Sequence, residues 1–178
     1  MGTDMLSNYI LLKKIMKITY TILLLLVLFT MLTASECRKT TTPEFYFKCK
    51  VDGQEYIPNS CANCRVAKLL GDTTFLLSGN RDLESILIGI VNHNSVPITI
   101  NTYTLDQRSE QKASYKNSTS FLENYNTDSA RTGRLIITTL DKTNKIVSGT
   151  FNFVGYNAVR NKTVNISEGS FRLNYKTD

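Results

Sequence analysis

The stretch Ile-Val-Ser-Gly-Thr-Phe-Asn-Phe-Val-Gly-Tyr, residues 146–156, decides the fold class of this chain. Much of it alternates apolar with polar positions, and it is rich in β-branched and aromatic residues, which favour strands. Val147, Phe151 and Phe153 fall on one face of such a strand. Residues 141–144, directly before it, are typical of a turn. The pattern therefore predicts a long strand that follows a tight turn.

The same two-residue period recurs along the chain between clusters of turn-forming residues. No segment after residue 43 shows a helical period longer than three turns. The sequence therefore predicts an all-β domain, a single antiparallel β-sandwich or up-and-down barrel of roughly nine or ten strands, after a helical N-terminal signal segment. The predicted strands cover residues 45–51, 54–57, 66–70, 73–78, 85–91, 97–105, 134–140, 146–156, 164–167 and 170–175.

Two regions of the predicted domain stand apart. Residues 85–91, Ser-Ile-Leu-Ile-Gly-Ile-Val, are apolar at both odd and even positions, which predicts a central strand covered on both faces. Residues 106–131 are polar, with candidate short strands only at 113–115 and 120–125. We expect this second region to be the variable loop that meets a partner.

The N-terminus has the features of a signal peptide. Lys13, Lys14 and Lys17 form a basic segment, and residues 18–32 form an apolar stretch that is short of the roughly 20 residues a spanning helix needs. We assign residues 1–36 to this peptide. Because Met16 followed by Lys17 would itself give an ordinary start, residues 1–15 are a candidate over-called gene start.

Cys37 follows directly, where a bacterial lipoprotein places the cysteine that receives diacylglycerol. A small residue usually precedes that cysteine, whereas Glu36 does so here. The prediction is lipidation at Cys37, a polar tether over residues 37–43 and a globular domain over residues 44–178. The alternative is cleavage after Ala34 or Ser35, which would give a soluble periplasmic or secreted protein.

Charge argues against one class of partner. The chain has a formal net charge of +6, but its basic residues are scattered, with no run of five or more. A scattered pattern is typical of a solvated surface rather than of a phosphate-binding stripe. We therefore predict no nucleic-acid partner.

The remaining cysteines are Cys49, Cys61 and Cys64. An exported protein lies in an oxidising compartment, so the prediction is a disulfide of Cys49 with Cys61 or Cys64. It would close a loop of about a dozen residues, worth roughly 3 kcal/mol. The two-residue spacing of Cys61 and Cys64 also occurs in zinc and redox sites, for which Cys49 and His93 would supply further zinc ligands. The disulfide is preferred, and neither a metal nor a cofactor is predicted.

Several stretches carry a family resemblance: Phe47-Lys48-Cys49-Lys50-Val51-Asp52-Gly53, Thr102-Tyr103-Thr104-Leu105, Lys145-Ile146-Val147-Ser148-Gly149-Thr150-Phe151-Asn152-Phe153, and Glu168-Gly169-Ser170-Phe171. Together they resemble a family of small cell-envelope lipoproteins of unknown function from Bacteroidetes-type bacteria. The resemblance covers most of residues 44–176 and carries no catalytic residues. It implies a single-domain lipoprotein tethered in the envelope, with the outer membrane as the preferred location, and it supports lipidation at Cys37.

No catalytic signature occurs in the sequence. His93 is the only histidine, and it lies in an Asn-rich turn. No phosphate-binding loop, dinucleotide fingerprint or metallopeptidase helix is present. A pair of carboxylates for glycoside hydrolysis is defined by spatial separation, so sequence does not exclude it. Four tyrosines are candidates for a ligand-binding aromatic strip, although strand aromatics more often form the core; they are Tyr103, Tyr115, Tyr125 and Tyr156.

The preferred function is a non-enzymatic binding or accessory module, held on a membrane by its N-terminal lipid, with a glycan or a protein as partner. The alternatives are a small envelope enzyme, such as a carbohydrate hydrolase, and a purely structural interaction protein. A deep pocket with two facing acids would favour the enzyme, and a flat aromatic strip would favour the binding module. The absence of both features would favour the structural protein.

Overall fold

The computed structural model describes residues 44–107, 110–118 and 120–177. The predicted signal peptide, Cys37 and the tether lie outside the described residues. Within these ranges no helix is long and apolar enough to cross a membrane.

The all-β prediction is confirmed. The eleven strands are β1 (Tyr46–Val51), β2 (Gln54–Tyr56), β3 (Arg65–Leu70), β4 (Thr74–Arg81), β5 (Glu84–Val91), β6 (Thr102–Leu105), β7 (Lys112–Lys116), β8 (Asn124–Asn126), β9 (Gly133–Asp141), β10 (Ile146–Asn157) and β11 (Lys162–Thr177).

The strands form one continuous sheet that folds into two facing halves, which we call leaves. The first leaf has the order β2-β1-β11-β10-β9-β6, and the second has the order β3-β4-β5-β7-β8. The rings of Phe75 on β4 and Phe171 on β11 lie 6.4 Å apart across the gap between the leaves. Tyr56 on β2 also reaches across, and its hydroxyl donates to the Gly79 carbonyl of β4 at 2.8 Å.

Two corners join the leaves. At one corner β10 pairs with β8 through Tyr156 and Asn126. At the other, residues 175–177 of β11 run past the last partner on β10 and pair in parallel with β3. The predicted sheet was wholly antiparallel. The parallel ladder arises because β11 bends from one leaf into the other, where β3 runs in the same direction.

The core fills the space between the leaves. In both leaves the inward positions alternate with exposed or half-buried ones, so a single cluster of buried side chains results. All of the strands and buried core residues described here belong to residues 44–177. The largest fully buried side chains are Tyr56, Phe47, Phe75, Phe153, Phe171, Leu77, Ile86, Ile88, Ile90, Ile98, Leu105 and Leu135.

A reciprocal pair of contacts joins β10 to β11. In their ladder Gly149 lies opposite Phe171, and Phe151 lies opposite Gly169. A Cβ on Gly169 would come within 2.6 Å of the Phe151 ring, and one on Gly149 would lie 2.0 Å from the Ile136 carbonyl oxygen and 3.0 Å from the Phe171 ring. Glycine at both positions therefore makes room for the phenyl ring of the opposite strand and for the neighbouring backbone.

Several turns lie where the sequence predicts them. Asp52 and Gly53 connect β1 to β2 with positive φ at both residues, and Gly71 and Asp72 do the same between β3 and β4. The predicted break at Glu168 and Gly169 is wrong. The chain there stays in β11, and Glu168, with φ 53°, marks a bulge at which the pairing with both neighbours shifts register.

Three further predictions differ from the structure. Of residues 97–105 only 102–105 form a strand, because residues 97–101 instead cross the end of the sandwich, where Ile98 N–H donates to the Asp72 carbonyl. Residues 120–125 split into a 3₁₀ turn, Phe121–Glu123, and the start of β8. The strand at 85–91 is covered on one face only, and Leu87 on its other face is 48% exposed.

We expect Gly149→Ala to lower the free energy of unfolding by about 1–3 kcal/mol, because the new methyl group would overpack against the Ile136 carbonyl. Urea unfolding of both proteins measures the difference. Gly89→Ala on β5 is the matched control, since its Cβ would meet only the Leu76 side chain at 3.5 Å. The two variants should differ clearly; equal stability would contradict the reciprocal packing.

Candidate functional site

The structure corrects the predicted disulfide. Cys61 bonds to Cys64, and Cys49 is a buried free thiol, so the pairing of Cys49 with either of them is wrong. Cys49 lies on the inward face of β1, two residues from the buried Phe47, whereas the loop at 61–64 is exposed or half-buried. The bridge instead closes a turn that is held against β4, where the Asn80 N–H donates to the Cys64 carbonyl at 2.7 Å.

A polar cluster lies beside Cys49 at the edge of the core. Arg81 Nε donates to the Glu84 carboxylate at 2.7 Å, and the Tyr115 hydroxyl donates to the same carboxylate at 2.6 Å. The Arg81 guanidinium also lies 4.5 Å from the centroid of the Tyr56 ring. These contacts tie β2, β4, β5 and β7 together at one end of the sandwich.

The pKa shifts in this cluster indicate a structural role. Burial raises the pKa of the Cys49 thiol to about 12. Burial, followed by the nearby Glu84 carboxylate, raises the pKa of Tyr56 and Tyr115 above the ordinary phenol value. All three groups stay protonated at neutral pH, which leaves one carboxylate paired with one guanidinium. The network holds no nucleophile that is activated near neutral pH.

The four candidate tyrosines do not form an exposed strip. Tyr103, Tyr115 and Tyr125 are buried, and the rings of Tyr115 and Tyr125 pack against each other at 6.1 Å. Only Tyr156 reaches the surface in part. The Arg131 guanidinium stacks on its ring at 3.7 Å, and its hydroxyl donates to Asn161 at 2.8 Å.

Tyr156 borders a concavity that we call the polar cleft. It has a volume of about 450 Å³ and lies where β8 meets β10 at one corner of the sandwich. Part of its lining comes from the predicted loop region at 106–131, and part comes from the end of β10 and the turn after it. Side-chain amides predominate in its wall, which is formed by Gln107, Asn124, Asn126, Thr127, Asp128, Tyr156, Asn157, Ala158 and Val159.

The deep side of the polar cleft is held in place by hydrogen bonds. Asn157 is buried, donates to the Leu122 carbonyl at 2.6 Å and accepts from the Arg160 N–H at 2.9 Å. Thr127 is also buried, and its hydroxyl accepts from the Ala113 N–H at 3.1 Å. Sequence reasoning missed Asn157, although an asparagine at an inward strand position is itself a signal of a specific partner.

Asp128 is the one carboxylate in the wall of the polar cleft. It accepts hydrogen bonds from the backbone N–H groups of Ala130 and Arg131 and from the Arg131 guanidinium at 2.6 Å. Although partial desolvation acts in the opposite direction, these bonds lower the pKa of Asp128. The carboxylate therefore fixes the loop and stays ionised, while the outward amides of Asn124 and Asn126 make no hydrogen bond to the described residues.

The other sites considered from sequence can now be placed. Each of four surface concavities between described residues is lined by at most one carboxylate, contributed by Asp106, Asp128 or Glu110 where there is one. His93 is exposed and lies 3.1 Å from Glu110. Across the described ranges no group of three or more His, Cys, Asp or Glu residues is arranged to hold a metal ion.

Comparison with known proteins identifies a family. A family model described as a domain of unknown function, DUF6252, matches residues 36–173. No curated protein and no solved structure matches the chain. The matched range contains β1 to β10 and most of β11, so it covers both leaves and the polar cleft.

The cysteine arrangement makes a direct prediction. In a chain carrying Cys37→Ser, we expect no thiol to react quickly with a thiol reagent in the native state, because burial both shields Cys49 and keeps it protonated. Unfolding without reductant should expose one thiol, which peptide mapping should place at Cys49. A bridge from Cys49 would instead leave Cys61 or Cys64 free at the surface and reactive in the native protein.

Proposed function

The chain belongs to the DUF6252 family of domains of unknown function, and on that premise we propose that it is an exported lipoprotein of a Bacteroidetes-type cell envelope whose all-β domain is a non-enzymatic binding module. The signal-peptide pattern, the position of Cys37 and the family resemblance of the domain support export and lipidation. The family match begins at residue 36, beside Cys37, which agrees with a leader that precedes the domain.

The polar cleft is the proposed binding site, and the observation that carries the proposal is its lining. Two outward amides, Asn124 and Asn126, have no hydrogen-bond partner among the described residues and stand beside a rigid, hydrogen-bonded wall. Each amide offers both donors and an acceptor. Pre-placed polar groups of this kind orient a ligand and give specificity.

A glycan is the ligand class that fits this lining best. Sugar hydroxyls donate and accept hydrogen bonds in the same way as side-chain amides, whereas a strongly charged ligand would find only Asp128, which Arg131 already neutralises. The stacked Arg131 covers one face of Tyr156, so hydrogen bonds rather than aromatic stacking would provide most of the contact. No feature of the described concavities specifically favours the hydrolase alternative.

The proposed lipid is tested by intact mass. We expect the protein purified from the membrane fraction of its native host to begin at Cys37 and to carry added acyl mass. Cys37→Ser should abolish the added mass and release the protein from the membrane. A soluble wild-type species beginning at Ser35 or Glu36 would contradict lipidation and move the protein to the periplasm or the medium.

The proposed cleft is tested by saturation-transfer NMR against neutral oligosaccharides, namely cello-, xylo- and manno-oligosaccharides. We expect at least one to bind, and the Asn124→Ala/Asn126→Ala protein to bind it at least about tenfold more weakly, because two hydrogen bonds of roughly 1 kcal/mol each are lost. Asn165→Ala, an exposed strand residue on the first leaf, is the control and should bind as the wild type does. Binding unchanged in the double variant, or by none of these sugars, would contradict the cleft and favour a purely structural protein.

A further inference from the structure

The outward side of the second leaf carries contiguous apolar side chains, of which Leu87 is exposed and Val66, Leu76 and Val91 are half-buried. We call the outward side of Val66, Leu76, Leu87, Gly89 and Val91 the outer apolar face. These residues are neighbours across the ladders, since Leu76 lies opposite Gly89 and Leu87 lies opposite Ser78, which in turn faces Val66. Two shallow concavities of about 480 and 330 Å³ meet there and share Leu76 and Leu87.

This face explains why residues 86–91 are apolar at both odd and even positions. Ile86, Ile88 and Ile90 supply the core, whereas Leu87 and Val91 point outward and contribute nothing to it. Exposed apolar residues that are contiguous, rather than scattered singly, mark an interaction surface. The outward half of the strand is therefore available to a surface outside the described chain.

Lysines surround the outer apolar face. One row across the strands runs Lys176, Lys68, Leu76, Gly89 and Lys112. All three lysines are exposed, and none forms an ion pair with a described residue. The one carboxylate that lines the two concavities belongs to Glu110, which already pairs with His93. The face is thus an apolar patch with an uncompensated positive rim.

The chain enters the domain beside this face. The Arg65 guanidinium donates to the Phe45 carbonyl at 3.3 Å, and Arg65 is the first residue of β3, the strand that carries Val66 and Lys68. Phe45 and Tyr46 are each 36% exposed at the same place. A tether of seven residues, 37–43, spans at most roughly 25 Å even when fully extended. A lipid on Cys37 would hold this edge of the second leaf close to the bilayer.

From this arrangement we propose that the outer apolar face docks on the surface of an anionic phospholipid bilayer. Leu76, Leu87 and Val91 enter the headgroup region, while Lys68, Lys112 and Lys176 bind the anionic headgroups. One lipid chain gives only marginal, reversible membrane binding, so a basic apolar surface supplies the second contact that stable attachment needs. A second copy of the chain is a poorer occupant, because it would bring the same unpaired lysines to the interface.

The proposal rests on the proposed function only for the nearness of the bilayer, and its test does not use the lipid. The probe is a set of extruded vesicles, either neutral phosphatidylcholine or phosphatidylcholine with one third phosphatidylglycerol. The protein is the chain from residue 37 onward with Cys37→Ser, which keeps every described strand. We expect cosedimentation with the anionic vesicles, little with the neutral ones, and release at high salt.

Two pairs of variants locate the contact. Lys68→Gln/Lys112→Gln should lower the partition onto anionic vesicles roughly 10- to 30-fold. Lys48→Gln/Lys162→Gln removes the same charge from the first leaf and should have a much smaller effect.

Leu76→Ser/Leu87→Ser should also reduce binding, while Leu83→Ser/Leu122→Ser, at exposed positions elsewhere, should not. Circular dichroism confirms that each protein is folded, and Leu87→Ser alone replaces the double variant if that one is not.

Three outcomes would overturn the proposal. One is no binding to anionic vesicles by the folded wild type. The second is an equal loss of binding in the two lysine pairs, which would show attraction by net charge alone. The third is self-association that depends on Leu87, seen by analytical ultracentrifugation, which would assign the face to a second copy. A negative result for acylation at Cys37 would leave vesicle binding unaffected, so the two proposals fail separately.

Discussion

The pairing of Gly149 with Phe171 and of Phe151 with Gly169 is the contact on which the rest of the sandwich depends. Each glycine leaves room for a phenyl ring from the opposite strand, so β10 and β11 bring two large rings into a small space. Phe171 then reaches Phe75 of the second leaf, and Phe151 reaches Phe47 of β1. One ladder thereby connects β4 of the second leaf with β1 of the first, and a side chain at either glycine would displace one of the two rings.

The alternation of side chains predicted the inward residues well, because burial on one face of a strand is a local property of the sequence. The prediction from alternation failed at positions whose conformation depends on the strand they pair with. Glu168 and Gly169 have the composition of a turn, yet they form a bulge, because β1 and β10 pair with the chain on both sides of them. The predicted disulfide of Cys49 was wrong for a related reason. Its alternation with Phe47 placed it in the core, away from the loop that contains Cys61 and Cys64.

The candidate site was predictable only in outline. The polar composition of residues 106–131 indicated a surface loop, but four of the nine residues that line the polar cleft are residues 156–159, at the end of β10 and in the turn after it. No spacing in the sequence connects these two segments; the corner between β8 and β10 does. Residues 85–91 show the opposite limit. Because this stretch is apolar on both faces, it predicted a strand covered on both faces. In the structure only the inward face is covered, and Leu87 on the other face is exposed.

The outer apolar face and the polar cleft belong to one surface. A single row across the second leaf runs from Val66 through Ser78, Leu87, Ser114 and Asn126 to Tyr156 on β10. Its composition changes from apolar to amide-rich within these strands, and three strand spacings separate Leu87 from Tyr156, about 14 Å. A bilayer that contacted the apolar end would lie beside the cleft without filling it. The cleft would then lie next to the membrane surface, within reach of a glycan displayed there.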